Sequence, residues 1–306
     1  DKLVTGVQTC ALPIFIPALN EAENLSHNLP LVCKQMGPTD ELIVIDNGST
    51  DGTAEIANKF ATRVMYEPVL GRSRARNRGI QIAAGDLLLF LDADCRPAPN
   101  WLRLMLEPFG DSRIGCVAGE IRLIHDANEL GAYLEAKGHL SQAVNFNHSF
   151  LPYAGSGNVA FRRIVLNVIG GFDEDLYSGH DADICWRMQL ETNYRIVLAA
   201  DASVDHFQNL TLAALVRQKR RHAYGSVLLF KKYRHSRESE RRSAKVVYWE
   251  YCSILRRALS LVVHHLGSSF AGRGGITNEQ KFQLLLEISD KLGRIEGSIS
   301  LRVWYP

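Results

Sequence analysis

No C-x-x-C pair and no closely spaced cysteine framework occurs in this chain of 306 residues: Cys10, Cys33, Cys95, Cys116, Cys185 and Cys252 are scattered. Zinc ribbons and disulfide scaffolds are therefore not expected, and reduced thiols point to a cytoplasmic setting. No uncharged apolar run reaches the length of about 18 residues that a spanning helix needs. The nearest, residues 246–266, is interrupted by Glu250, Arg256 and Arg257. A membrane span is not expected, while a helix lying at the inner membrane face stays open. No internal repeat is found. The N-terminus has neither the basic start nor the apolar core of a signal peptide. Residues 3–14 instead resemble a translated sequencing-adapter remnant, so residues 1–13 are read as non-native, with Ile14 to Ile16 as the end of the original first strand. Charge of one sign is also not in large excess, the net value being +2. It is unevenly placed, however. Residues 217–245 hold eleven Lys or Arg against Glu238 and Glu240, which makes this segment +9 and the remainder −7. Such a segment suits phosphates, an anionic membrane or nucleic acid, and equally a solvated helix face.

What is present is an alternation of short apolar runs with helical patterns. The runs at residues 41–46, 63–66 and 86–91 read as strands, and those at 22–36, 53–60, 71–84 and 101–109 as helices. Strand and helix alternate through Phe109, which predicts an open, largely parallel sheet covered by helices. A strand over 114–124, one long helix over about 127–144, a loop entering a strand at 153–161, a helix ending near 191 and a strand at 194–198 follow. Beyond Asn209 the pattern is helical, with further helices near 243–266 and 278–293 separated by a Gly-rich stretch at 267–275.

The run Leu87 to Leu91 ends abruptly in Asp92-Ala93-Asp94. A buried parallel strand of this kind places its C-terminal end where ligands bind. Two carboxylates one residue apart suit a hard divalent cation, and they equally suit the capping of a strand-to-helix turn. Asp46 repeats the theme at the end of Glu41 to Asp46, followed by the turn residues Asn47-Gly-Ser-Thr-Asp51-Gly-Thr.

Together, Pro17-Ala-Leu-Asn20-Glu21, Ile45 to Thr53, Leu91-Asp92-Ala93-Asp94, Gly-Gly-Phe-Asp-Glu at 170–174 and Gly179-His180-Asp181-Ala-Asp183 resemble the family-two glycosyltransferases of the GT-A fold. The resemblance covers about residues 14–235. It implies an α/β catalytic domain over 14–208, with a nucleotide-binding half at 14–98, an acceptor half at 99–208 and a helical C-terminal extension at 209–306. The implied activity moves a sugar from a UDP- or GDP-sugar to a hydroxyl of a sugar or lipid-linked acceptor, by a non-processive inverting displacement. No nucleic-acid partner is implied.

In that reading Pro17, Asn20, Glu21 and Asp46 hold the nucleoside, although Glu21 also reads as a first-turn carboxylate at a helix N-terminus. Arg72 and Arg76 assist at the phosphates, a role that competes with plain solvation of a basic helix. Asp92 and Ala93 meet the nucleotide sugar, and Gly157 lets backbone approach it, unless Gly155 to Gly157 is a simple tight turn. Asp94, Asp92 and His206 would hold Mn²⁺ or Mg²⁺, the His also being compatible with a structural role. Asp181 would be the base that deprotonates the acceptor hydroxyl. In most relatives its preceding residue is Glu, and His180 departs from that pattern. Asp183 is expected on another helix face, capping or orienting the backbone. Residues 218–222 resemble the Gln-x-x-Arg-Trp element of processive synthases, with His222 in place of Trp. The basic segment 217–245 would make any peripheral membrane contact. Two other readings remain: a non-catalytic binding protein that kept the fold, and a sugar-1-phosphate nucleotidyltransferase. The latter would need a Gly-rich basic loop after the first strand, which residues 17–24 do not supply.

Overall fold

The computed structural model describes residues 12–208, 211–236, 244–271 and 277–305. The segment set aside as non-native therefore lies, up to residue 11, outside the described residues. Two compact units are present, one of residues 1–124 with 138–208 and one of residues 125–137 with 209–306. The second unit thus takes residues 125–137 in addition to the C-terminal extension.

The first unit is built on an eight-stranded sheet. Its strands are β1 (Pro13–Ala18), β2 (Glu41–Asp46), β3 (Arg63–Tyr66), β4 (Leu87–Leu91), β5 (Cys95–Pro97), β6 (Ile114–Ile124), β7 (Asn158–Arg162) and β8 (Arg195–Phe207). They lie in the order β3-β2-β1-β4-β7-β6-β8-β5. The first four are parallel neighbours. β7 then runs antiparallel between β4 and β6, and β8 is parallel to β6 and antiparallel to β5. Apolar side chains leave both faces of the parallel strands, because each alternates direction along an unbroken apolar run. Ile14, Ile16, Leu42, Val44, Leu89 and Leu91 enter one core, where Leu25, Leu29 and Val32 of α1 (Ala22–Cys33) and Trp101 of α4 (Trp101–Leu106) cover them. Phe15, Ile43, Ile45, Leu88 and Phe90 enter the other, beneath Ala75 of α3 (Arg72–Ile82), Leu166 of α7 (Arg163–Ile169) and Met188 of α8 (His180–Glu191). α2 (Thr53–Phe60) adds Ala57 to the first core. Full burial of each large side chain is worth about 1.5–3 kcal/mol, so the central strands are rigid platforms for the residues at their tips.

Several elements differ from the sequence pattern. The expected helix over 127–144 is two helices, α5 (Glu129–Ala136) and α6 (Gln142–Phe146). Gly138 (φ 64°) and Leu140 (φ 72°) between them are left-handed, a conformation that cannot continue an α-helix. The strand expected at 194–198 runs on to Phe207, and β5 and α7 had no distinct periodicity of their own. Asp183 is fully buried and pairs with Arg187 at 2.8 Å.

The second unit contains α5, α9 (Leu212–Tyr233), α10 (Ala244–Ala271) and α11 (Asn278–Leu301). α10 continues through the Gly-rich stretch as far as Ala271, and residues 272–276 of that stretch lie outside the described residues. Ser289, Gly293 and Gly297 form the buried stripe of α11, and a Cβ on Gly293 would fall 2.2 Å from the carbonyl oxygen of Arg220 in α9. The two helices therefore touch backbone to backbone. Tyr133 of α5 meets Phe282 of α11 edge to face. Among the described residues no helix is long and apolar enough to cross a membrane.

Candidate active site

All residues singled out for chemistry lie in the first unit, at or beside the C-terminal ends of β1, β2 and β4. The loops after β1 and β2 are stitched together by backbone N–H groups. Those of Asn20, Glu21 and Ala22 donate to Ser49 Oγ (2.9 Å), Thr53 Oγ1 (2.8 Å) and Asp51 Oδ2 (3.2 Å). In return Asn20 Oδ1 accepts from the Thr50 N–H at 2.8 Å, with Asn20 in the left-handed region that Asn tolerates (φ 57°). Asp46 is buried and its Oδ1 accepts from the Ser49 N–H at 2.9 Å. Pro17, half-buried, pairs in register with Ile45. Burial pushes the Glu21 carboxyl up, as do Asp94 and Asp92 nearby, against an opposing hydrogen bond from Asn24.

The turn after β4 is tight. Cys95 N–H donates to Asp92 O at 3.1 Å, and the Ala93 carbonyl accepts from the buried Asn28 side chain of α1. Asn28 Oδ1 accepts in turn from Arg96 Nε at 3.2 Å. The turn leads into β5, whose Cys95 pairs across from His206 of β8. That register brings His206 Nε2 to 3.1 Å from Asp94 Oδ2. Burial opposes both charges, yet the mutual hydrogen bond and charge hold Asp94 below the usual carboxylate range and His206 above the usual imidazole range. Donor atoms of Asp94, Cys95 and His206 all lie within 4.8 Å of one another. Burial, and the two carboxylates beside it, push the Cys95 thiol well up, so carboxylate oxygen and imidazole nitrogen are the available ligand types. Such an O/N pair fits Mn²⁺. Asp92 stands apart from that cluster: its Oδ1 faces Arg76 Nη2 at 2.5 Å.

Arg76 is only 2% exposed and is not part of a solvated helix face, whereas Arg72 one turn earlier is exposed. Its guanidinium lies 5.8 Å from the Phe172 ring centroid and helps to keep the Asp181 carboxyl low. On the other side of Asp92, a Cβ at Gly157 would stand 3.0 Å from Asp92 Oδ2, so the glycine leaves the carboxylate room. The neighbouring Ser156 N–H donates to Asp181 Oδ1 at 3.2 Å, and His180 Nε2 is 3.3 Å from the same oxygen. Burial raises the Asp181 carboxyl, but His180, Arg76 and Ser156 outweigh it and the net direction is down. His180 itself is buried and shifted down by desolvation, which keeps it neutral near pH 7. Its buried Nδ1 has no hydrogen-bond partner. Asp92, Arg76, Gly157, His180 and Asp181 are thus contiguous, and Asp94, two residues beyond Asp92, forms a second group with His206.

Supporting residues escaped the sequence reading. Asn158, fully buried, accepts from Trp101 Nε1 (2.8 Å) and donates to the carbonyls of Glu120 and Ala202, tying β7 to its neighbours. Arg187, paired to Asp183, also donates to the carbonyls of Ile169 and Gly171, and Asn77 holds Phe172 through its backbone on both sides. Tyr153 is pushed up to about 12 by burial and by Asp181, so its hydroxyl keeps its proton. Asn28 had a readable signal, a polar residue set within the buried stripe Leu25, Leu29, Val32. The others had none, because their partners are remote in sequence.

This sheet, with acids at the ends of its parallel strands, is that of the GT-A glycosyltransferases. The family described as glycosyl transferase family 2 matches residues 14–170, and the chain belongs to it. It is 31% identical over 205 residues to glycosyltransferase AglE of Haloferax volcanii, covering 63% of this chain and 66% of that protein. With the pre-mycofactocin glycosyltransferase of Mycobacterium tuberculosis it shares 29% identity over 215 residues, 67% of this chain and 44% of the relative. The chain therefore spans between under half and about two thirds of the length of these relatives. Its fold is similar to that of the mannosyltransferase PcManGT from Pyrobaculum calidifontis in complex with GDP-Man and Mn²⁺. The TM-score is 0.63 at 16% identity, over 96% of this chain and 89% of the other.

Proposed function

We propose that this family-two glycosyltransferase moves a sugar from a UDP- or GDP-sugar to a hydroxyl of a sugar or lipid-linked acceptor, in one inverting, non-processive displacement. The observation that carries the reading is the setting of Asp181. Its Oδ1 accepts from the Ser156 N–H at 3.2 Å with His180 Nε2 3.3 Å away, and His180, Arg76 and Ser156 hold the carboxyl low. Asp181 takes the acceptor's proton, and Ser156 and His180 are positioning residues for it. A carboxylate kept low in pKa is ionised and ready to accept a proton at neutral pH. The departure at His180 thus sets an imidazole 3.3 Å from Asp181 where most relatives have a carboxylate.

The stitched loops of Asn20, Glu21 and Asp46 form the nucleoside end, Pro17 shaping its floor. Gly157 and Ala93 give the sugar close backbone beside Asp92, and the buried Arg76 fixes the Asp92 carboxylate. Arg72, exposed one turn from Arg76, meets the phosphates. Asp94 and His206 would hold the divalent ion, with Asp92 beside them at the nucleotide sugar. When bound, Mn²⁺ or Mg²⁺ supplies neutralising charge to the departing nucleoside diphosphate. Contact of the basic segment 217–245 with an anionic membrane would bring a lipid-linked acceptor within reach.

The test is a panel of nucleotide sugars with Mn²⁺, following release of the nucleoside diphosphate. Asp181→Asn should lower turnover by about 10²–10⁴ yet keep the thermal shift that the nucleotide produces. Full activity in that variant would remove Asp181 from the mechanism, and no nucleotide shift in the parent protein would favour a binding protein that kept the fold.

A further inference from the structure

The second unit carries a surface that the transfer chemistry does not use. Lys245, Tyr248, Cys252, Leu255 and Leu259 follow one another at spacings of three and four along α10, which puts them on one stripe. Tyr248, Trp249, Leu255 and Leu259 are 61–65% exposed. Next to this stripe α10, α11 and the turn after α11 enclose an apolar groove of about 670 Å³, lined by Tyr248, Tyr251, Ile295, Ile299, Val303 and Trp304. Trp304 on its wall is 66% exposed. Contiguous exposed aromatic and aliphatic surface of this kind marks an interaction site.

Charge selects the occupant. Residues 209–306 contain eighteen Lys and Arg against seven Asp and Glu. The five acids among the described residues of this span each face a cation: Glu250 faces Lys291, Glu287 Arg257, Asp290 Arg294, Glu296 Arg220, and Glu279 Lys137. The cations left over include exposed Lys245 and Arg256 on α10 and Arg302 on the groove. Phe230 stacks on Tyr305 at 4.4 Å, which brings the basic end of α9, with Lys231, Lys232 and Arg234, beside the Val303 to Trp304 wall. A second copy of this unit would present the same positive surplus and be repelled. Trp and Tyr over Leu, rimmed by Lys and Arg, are the composition that seats a helix in the interface of an anionic bilayer.

We propose that the α10 stripe and the α10–α11 groove dock flat on an anionic lipid leaflet, the aromatic side chains entering the headgroup region and the rim cations facing lipid phosphates. This docking is independent of the transferase reading and is measured without donor, acceptor or metal. The test is flotation of the full chain with phosphatidylcholine vesicles, with and without phosphatidylglycerol. Co-flotation is expected only with the anionic vesicles, and added salt should release the protein. The triple variant Tyr248→Ser, Trp249→Ser, Leu255→Ser should partition at least about tenfold less. Lys245→Ala should weaken binding about fivefold. All these positions are exposed, so circular dichroism and Tm should match the parent protein. Equal binding to neutral vesicles, absence of binding, or unchanged binding by the triple variant would each overturn the proposal. So would concentration-dependent dimerisation abolished by the same triple variant, which would make the face a contact between copies.

Discussion

The ends of the parallel strands and the helices of residues 209–306 handle charge in opposite ways. Around the sheet's strand ends each of four carboxylates has a specific partner: Asp92 has Arg76, Asp94 has His206, Asp181 has Ser156 and His180, and Asp183 has Arg187. In the helical unit the described acids are consumed in half-exposed pairs, and the bases exceed them on a surface that also exposes aromatics. Low-dielectric surroundings make the first kind of arrangement geometrically exacting, because an unpaired buried charge is costly. The second kind tolerates substitution and acts through summed charge and apolar area. The contrast is between individually partnered carboxylates at the sheet and a summed positive surplus at the helices.

That contrast can be broken most sharply at Asp181. Removing a positioned base typically costs about 10²–10⁴ in rate, so Asp181→Asn should lower kcat for transfer by that factor with little change in Tm. His180→Gln, which keeps a polar side chain beside Asp181, should retain most activity. In His180→Leu the acidic limb of the pH–rate profile should move upward, since Asp181 loses the neighbouring imidazole whose charge lowers its carboxyl. An unmoved limb would end the positioning role.

Next in size come stability losses confined to the sheet unit. Leu89→Ala should destabilise by about 2–5 kcal/mol in chemical denaturation. Arg187→Met leaves Asp183, 0% exposed, without its cation and should cost about 3 kcal/mol. For Arg76→Met the expected loss is smaller, about 2 kcal/mol, because the Asp92 side chain is a third exposed and partly screened.

A pH series sharpens the comparison further. His206 is raised in the folded state, so its contribution is complete below the unfolded imidazole value near ~6.5 and is lost as pH rises through the folded value. Asp94 is lowered, so its contribution is present above ~3.9 and is lost as pH falls through the folded value. Metal-free protein should therefore be most stable, with respect to this pair, between those limits. His206→Gln should flatten the upper limb of stability against pH. Mn²⁺ displaces the imidazole proton and should bind more tightly as pH rises, a trend that calorimetry would follow. The smallest effect belongs to the helical unit: Leu255→Ser should change stability by no more than about 0.5 kcal/mol while it weakens vesicle binding.

Much of the first unit was legible because local rules governed it. The strands at 41–46 and 63–66 and the helix at 53–60 coincide with β2, β3 and α2, each bounded by turn residues with an unambiguous period. The reading failed where long-range pairing decided the outcome. β5 has three residues and no pattern of its own; it is a strand because β8 lies beside it. β8 extends beyond Leu198 through residues whose side chains do not alternate cleanly, since β6 pairs with them across two register shifts. The helix over 127–144 was broken by left-handed backbone at Gly138 and Leu140, which apolar periodicity does not report.

By itself the sequence determined that Asp46, Asp92 and Asp94 stand at strand ends and that Asp181 opens a helix, because hydrophobic period and turn chemistry act over a few residues. Only the tertiary structure decided which partner each carboxylate has. Asp92 faces Arg76 across 16 positions, Asp94 faces His206 across the β5–β8 pairing, and Asp181 meets the Ser156 N–H across 25. These contacts depend on sheet order, and burial then makes their energies large enough to set the charge state of each acid.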